Sequence, residues 1–581
     1  MFSKARLNLS GYWRKDDTRS RLFVQGKGEI RLGKTEFTAQ GGEGSVYIKG
    51  SKAYKIYKDP ARAISLEKIQ ELSVLDLPNI IRPLDLIIDH KNGVVGYSMK
   101  AVGKSHALCQ LFPKAFRLRN NITPETVLQL VRRMQAGVTH VHSKGILIVD
   151  LNEMNFLVSA SFRELFFIDV DSYQTPSFPA SVLMESVRDR HAKRFTVDSD
   201  WFSFAVISFQ MFVGIHPFKG TYQPFQHLSD NMSKLDRRMN ENVSILHAGV
   251  SVPSSCLPLT VIPRVYLDWY RAVFEEGKRL APPESTQSVI SVAIPIQARI
   301  ESGSFTLTEL RAFDSELIWH DGSISITRNS VYFDGQKFSK PPFDVKVIVT
   351  PRQRHAIAAY NDGGHVKFQD LTTGKPISTE IQGEDVLLAN GGLYLKQEEN
   401  IFLVEFLELP QNILIGLQSV ANVMMQSTWL FDGIAFQSLL GAMYASIPTP
   451  DGRCYQVHLP ELDGSSVIAA RLIRSVLVVV VNRAGRYDKL VFCFAEDFSS
   501  YSIRTLVDIS NTDIEFTVLD RGVVLHLIDD DGLEVFSNST GSSQIRTFQD
   551  PAVSGGPKLF RTGSQALLAR SNKLYRFQLR Q

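Results

Sequence analysis

The sequence predicts a multidomain protein in which an α+β half is followed by an all-β half, and three observations carry that expectation. The chain has 581 residues, and single cores stop growing at roughly 250–300 residues. Up to about residue 290, strand-like runs alternate with long helical patterns, whereas short strands and turn signals dominate afterwards. Between the two textures lies Ala281-Pro282-Pro283-Glu284-Ser285, a proline-rich break of the kind found at domain junctions.

Composition narrows the function classes. Apolar content of 44% and charged content of 21% fit a soluble globular chain. The net charge of +4 is too small to draw nucleic acid or a membrane surface by field alone, and no basic stripe interleaved with aromatics is present. Cys109, Cys256, Cys454 and Cys493 lie far apart without CxxC spacing, which excludes a familiar zinc arrangement and gives no sign of a disulfide framework. The start, MFSKARLNLSGYW, lacks the apolar core of a signal peptide. The longest strongly apolar run, Val476 to Val481, is far below the roughly 18 residues of a spanning helix. A cytoplasmic protein, with no nucleic-acid or membrane partner, is the expectation.

Taken in order, residues 1–25 read as an N-terminal extension and 26–290 as the α+β domain. Within it, residues 124–143 predict a helix, with Thr123 as its cap and Pro124 at its first position. Val127, Leu130, Val131, Met134, Val138 and Val141 recur there at helical spacing. Residues 200–213 are apolar nearly all round and predict a helix buried at a domain centre, ended by Gly214 and Pro217. Residues 291–302 read as a linker. From 303 to 581, strand–turn–strand units recur, as in 344–377, 477–494, 512–541 and 566–579. A repeat of about 40 residues suits a β-propeller of about six or seven four-stranded blades. A pair of β-sandwiches is the competing architecture.

The chemistry-bearing residues lie in the first half. In Ala39-Gln40-Gly41-Gly42-Glu43-Gly44-Ser45-Val46, Gly41, Gly42 and Gly44 let backbone N–H groups approach phosphates, and Val46 can pack over an adenine ring. Lys55 follows within the strand 52–57, placed to contact phosphates. Further on, Ile148-Val149-Asp150-Leu151-Asn152-Glu153-Met154-Asn155 sets a carboxylate and an amide five residues apart. That spacing suits a residue that accepts a hydroxyl proton and one that binds Mg²⁺. The apolar strand Leu165-Phe166-Phe167-Ile168 then delivers Asp169, a carboxylate at a strand end that would bridge a metal.

These motifs, in this order, resemble the protein kinases over roughly residues 25–290. Ser199-Asp200-Trp201-Phe202-Ser203-Phe204 and Gly214-Ile215-His216-Pro217-Phe218 are similar to the central helix of that family and the sequence after it. The resemblance implies an α+β bilobal kinase-like fold that binds ATP and Mg²⁺ or Mn²⁺. Asp150, Lys55 and Asn152 would be catalytic, and Asn155 and Asp169 would hold the metal. Gly41, Gly42, Gly44, Val46 and Lys55 would bind the cofactor. Met99 would be the gatekeeper, with the Lys100 carbonyl and the Val102 N–H pairing with adenine. Asp200 would hold the catalytic-loop backbone. A glutamate of the helix 64–75, Glu67 or Glu71, would pair with Lys55, and Glu67 is carried into the site. Arg279 would be the buried partner of Glu185.

Three departures mark a divergent member. Val149 stands where an arginine is usual, which implies activity without loop phosphorylation, Asn152 where a lysine is usual, and Asp171 where a glycine is usual. The Asp-x-Asn-x-x-Asn form is similar to a bacterial branch found near tellurite-resistance and stress operons. That likeness implies a von Willebrand A-domain protein and a PP2C-like phosphatase as partners. The leading expectation is a serine/threonine protein kinase whose propeller recruits a substrate or regulator. A pseudokinase scaffold and a small-molecule kinase are the alternatives.

Overall fold

Seven short strands in residues 22–100 pair into one antiparallel sheet: β1 (Leu22–Val24), β2 (Gly28–Ile30), β3 (Phe37–Gln40), β4 (Gly44–Lys49), β5 (Lys52–Tyr57), β6 (Asp85–Ile88) and β7 (Val94–Lys100). Their order is β2-β1-β6-β7-β5-β4-β3, which leaves β5 between β4 and β7. The computed structural model describes residues 21–180, 184–228, 230–253, 256–284, 303–410, 412–528, 532–539 and 544–579. The expected linker at 291–302 lies outside them, as do residues 1–20. β1 begins within the stretch expected as an N-terminal extension.

Six α-helices occur among the described residues: α1 (Leu66–Leu72), α2 (Lys114–Arg119), α3 (Pro124–Ser143), α4 (Val197–Val213), α5 (Asn231–Asn240) and α6 (Arg264–Phe274). Thr123 caps α3 by accepting from the Thr126 N–H, and Pro124 opens it where a missing N–H costs nothing. Its apolar stripe faces α4 and a small sheet of β8 (Ser105–Ala107), β9 (Phe156–Ser159) and β10 (Leu165–Phe167). Gly137 makes the approach to β10 possible, because a Cβ there would lie 2.3 Å from the Phe167 ring. α4 starts with a reciprocal Thr196–Ser199 capping box and ends at Gly214 in the left-handed region. Between these ends it is buried nearly all round.

Residues 303–579 form seven four-stranded antiparallel sheets. Six are consecutive meanders, over 317–339, 346–382, 385–422, 428–458, 466–506 and 516–549. The seventh joins the first strand, Phe305–Ala312, to the last three, ending in Lys573–Leu579. Each sheet packs on the next and the seventh returns to the first, giving a closed ring. The run Val476 to Val481 is a strand fully buried in this ring rather than a surface element.

The expectation of an α+β bilobal kinase-like half is corrected by these elements. Among the described residues the protein is mostly β, 41% strand against 18% helix, spread over many small antiparallel sheets, without an α+β bilobal kinase lobe. The expectation generalised from two long helical patterns. Over the rest of residues 21–284, apolar residues fall largely in strands of two to seven residues, 3₁₀ turns and short helices. No helix among the described residues is long and apolar enough to cross a membrane.

One apolar core runs through both parts of the chain. Leu72, Val131, Phe156 and Phe204 belong to the same buried cluster as Val476, Val480, Tyr487 and Phe516 from the ring. Hydrogen bonds join them as well. Thr38 pairs with Gln426 at 2.9 Å, Lys219 with Asp508 at 2.7 Å, and Arg119 with Asp432 at 2.7 Å.

Candidate functional site

Lys55 is the centre of the site. It lies on β5, opposite Val46 of β4 and Tyr97 of β7, and is 6% exposed. Its Nζ is 2.6 Å from Asp169 Oδ1, 2.9 Å from Asp171 Oδ2 and 3.5 Å from Glu43 Oε2. A buried ammonium is costly unless paired, and these carboxylates pair it. Burial works to lower the Lys55 pKa, but the charges of Asp171 and Asp169 outweigh it, so it is raised.

Asp171 is the most enclosed of the three acids. Both of its oxygens receive the Lys55 Nζ, Tyr57 donates its hydroxyl to Oδ2 at 2.6 Å, and Tyr97 donates to Oδ1 at 2.6 Å. Lys68 of α1 reaches the Asp171 carbonyl at 2.6 Å. Burial opposes ionisation of Asp171, yet Lys55 and the two phenols hold its pKa below the usual carboxylate value. Asp169 shifts the other way, because burial and the neighbouring Asp171 charge raise its pKa against the pull of Lys55.

The second pair is formed by Asp150 and Asn155. Asn155 Nδ2 donates to the Asp150 carbonyl at 2.9 Å and lies 3.3 Å from its Oδ2. The Ile168 N–H donates to the Asn155 carbonyl at 3.0 Å, which ties the end of β10, and so Asp169, to this loop. Asp200 accepts from the N–H groups of Ile148 at 2.8 Å and Val149 at 2.9 Å, and pairs with His142 at 2.9 Å. Two residues here occupy the left-handed region, Val149 at φ 65° and Asp169 at φ 59°. A β-branched residue there is strained by roughly 1–3 kcal/mol, and such strain gathers at functional positions. The Asp200 bond helps to hold Val149 in place.

Several expected roles are relocated. Glu67 is exposed in the first turn of α1 and takes no part in pairing Lys55, while Glu71 accepts from the Ser177 N–H. The carboxylates facing Lys55 come instead from the glycine loop and from the segment after β10. Asn152 is buried, its Oδ1 accepting from the Met154 N–H at 2.8 Å, so it caps the 3₁₀ turn Glu153–Asn155 instead of facing a substrate. Arg279 clasps Asp189 at 2.6 Å through two nitrogens, whereas Glu185 pairs with Arg188 and Arg190. Gly41 and Gly42 are exposed at the turn between β3 and β4, Gly44 is buried, and Val46 is half-buried above Lys55. At the end of β7, Met99 is buried opposite Ala53 and Lys100 is exposed, with Val102 half-buried beyond it.

The donor set suits a hard cation. Carboxylate oxygens of Glu43, Asp169 and Asp171 lie within 4.8 Å of one another, and oxygen ligands are what Mg²⁺ and Mn²⁺ take. Asp171 is already saturated by Lys55 and two phenols. Asp169, one-third exposed, is the more open of the two aspartates to such an ion. Glu43, Tyr57, Tyr97 and Lys68 were not assigned roles from sequence. Only the placement of Glu43 inside the glycine loop was a usable signal.

No protein-family model matches the chain, and no curated protein matches it. Among solved structures it is similar to a twitchin kinase fragment of C. elegans, an autoregulated protein kinase with immunoglobulin domains, at 17% identity and a TM-score of 0.33. The match covers 42% of this chain and spans about half of the other, 54%.

Proposed function

We propose that this protein is an ATP-dependent phosphotransferase acting on a serine or threonine hydroxyl of a protein. The observation that carries the reading is the pairing of Lys55 with Asp169 at 2.6 Å, linked through the Ile168–Asn155 bond to Asp150. Lys55 would orient the α- and β-phosphates once ATP enters beneath the glycine loop. Asp169 and Asn155 would hold Mg²⁺ or Mn²⁺, which when bound neutralises charge on the β- and γ-phosphates. Asp150 would accept the proton of the attacking hydroxyl as its oxygen bonds to the γ-phosphorus and ADP leaves. The Asp150 Oδ1 accepts the Met184 N–H at 2.8 Å and its Oδ2 the Asn155 amide at 3.3 Å, so an incoming hydroxyl would take a remaining lone pair of the carboxylate.

The ring of seven sheets would act as a propeller-type platform that recruits the protein substrate or a regulator. A von Willebrand A-domain protein and a PP2C-like phosphatase are partners to test there by co-purification. A nucleotide-binding scaffold without turnover is the second reading. It is favoured by Asp171, which occupies the same ammonium that a phosphate would need.

The test is full-length protein with labelled ATP and Mg²⁺ or Mn²⁺, with and without a generic protein substrate, beside Asp150→Ala and Asp169→Ala. Transfer to protein that both substitutions abolish supports the proposal. ATP-dependent thermal stabilisation without transfer leaves the scaffold, and transfer only to a small molecule replaces the protein substrate.

A further inference from the structure

We propose that the ring supplies a positioning residue to the candidate catalytic loop: Tyr487, acting through Glu153. This rests on the phosphotransferase reading and extends it, since it makes the C-terminal part a component of the site as well as a platform.

Strands Val476–Arg483 and Arg486–Phe494 form a hairpin whose turn faces the N-terminal part of the chain. Tyr487, 5% exposed, donates its hydroxyl to Glu153 Oε1 at 2.6 Å, across 334 residues of sequence. Glu153 is itself 2% exposed and opens the 3₁₀ turn that ends at Asn155. A carboxylate so deeply enclosed needs a donor to be tolerated. The turn it opens separates Asp150 from Asn155, whose amide donates to the Asp150 carbonyl. Fixing Glu153 therefore fixes the pitch of the turn that presents the Asn155 oxygen.

The tip of the same hairpin touches a second part of the site. Gly485 has φ 83°, and a Cβ there would lie 2.3 Å from Met184 Sδ and 2.8 Å from Ser186 Oγ. Met184 is the residue whose N–H reaches Asp150. One hairpin thus braces both the loop that carries Asp150 and Asn155 and the segment that covers Asp150. The hairpin is braced in turn. Asp488 pairs with Arg483 at 3.3 Å and Arg486 at 2.8 Å, and accepts the Asp508 N–H at 2.9 Å. The Tyr487 carbonyl accepts from the Ile509 N–H at 2.8 Å. A rigid anchor is what a positioning contact requires.

The test uses full-length wild type, Tyr487→Phe and Tyr487→Phe/Glu153→Gln. Phosphoryl transfer is measured against Mg²⁺ concentration, and amide hydrogen exchange over 150–156 is followed in parallel. Removing a direct partner of a metal ligand costs about 10–100-fold in metal affinity, and Tyr487 acts one residue further out, so the lower end applies. Tyr487→Phe is therefore expected to raise the Mg²⁺ needed for half-maximal transfer about tenfold and to speed exchange at 152–156. The double variant should recover part of both, because it leaves no unpaired buried carboxylate. A Tyr487→Phe protein with the wild-type Mg²⁺ requirement and unchanged exchange overturns the inference and leaves the phosphotransferase reading intact. A wild type that transfers nothing sinks the phosphotransferase reading and the positioning role of Tyr487 with it. Faster exchange in the variant would then report a purely structural brace.

Discussion

Asp171 holds more of the site together than any other single side chain. It takes Lys55, Tyr57 and Tyr97 on two oxygens in a buried setting. Removing one member of a buried ion pair costs several kcal/mol because the other charge is stranded. Lys55 keeps Asp169, so Asp171→Asn is expected to destabilise by only about 1–3 kcal/mol, read as a fall in urea midpoint. An unchanged midpoint would mean that Asp169 alone satisfies the lysine. The same substitution is expected to lower the Lys55 pKa, since Asp171 is the larger of the two charges holding it up. In the sequence Asp171 is notable only as an acid where the resembled kinases carry a glycine. Its two phenolic partners cannot be read there, because Tyr57 and Tyr97 are 114 and 74 residues away.

At the scale of elements, α3 sits closer to the small sheet than ordinary side chains allow. Gly137 faces the Phe167 ring at van der Waals overlap for any added Cβ. Gly137→Ala gains roughly 1 kcal/mol in helix propensity. It loses about 1–3 kcal/mol to overpacking against a ring that has nowhere to go. The net expectation is a lower unfolding midpoint and disturbance at Asp169, two residues beyond Phe167. A rise in midpoint would show that α3 and β10 have room to separate. The boundaries of α3 were legible in sequence from Thr123, Pro124 and the apolar stripe, because caps and period act within a few residues. The proportion of helix was not legible, since two long helices are not typical of the elements around them.

For the whole molecule, the shared core means that ring and N-terminal part stabilise each other. Asp432 of the ring meets Arg119 of α2 at 2.7 Å, with Lys346 at 3.9 Å. Burial alone would raise the Asp432 pKa, but Arg119, Lys346 and Arg471 hold it down to about 2. A folded pKa below the unfolded one binds fewer protons in the native state. The contribution is therefore complete above about pH 4, the unfolded value, and is lost as pH falls through about 2. Asp432→Asn is expected to flatten the acid limb of stability against pH in that window, with little change near pH 7 beyond the modest worth of a partly exposed pair. An acid limb identical to wild type would place the acid-labile contacts elsewhere. A fragment of residues 21–284 is expected to aggregate or to be cleaved far faster than the full chain. It would expose the apolar surface that Val476, Tyr487 and Phe516 cover.

The sequence by itself determined what depends on near neighbours: the cap and stripe of α3, the all-round apolar character of α4 and its end at Gly214, the turn-punctuated strands of the ring, and the spacing of Asp150, Asn155 and Asp169. Such features come from backbone periodicity and hydrogen bonds over a few residues, which a linear pattern records. Only the tertiary structure decided the predominantly β architecture and which carboxylates face Lys55. It turned Asn152 inward as a cap, and it brought Tyr487 to Glu153. Those outcomes depend on which distant surfaces bury each other, and a buried charge takes whatever partner the packing brings within reach.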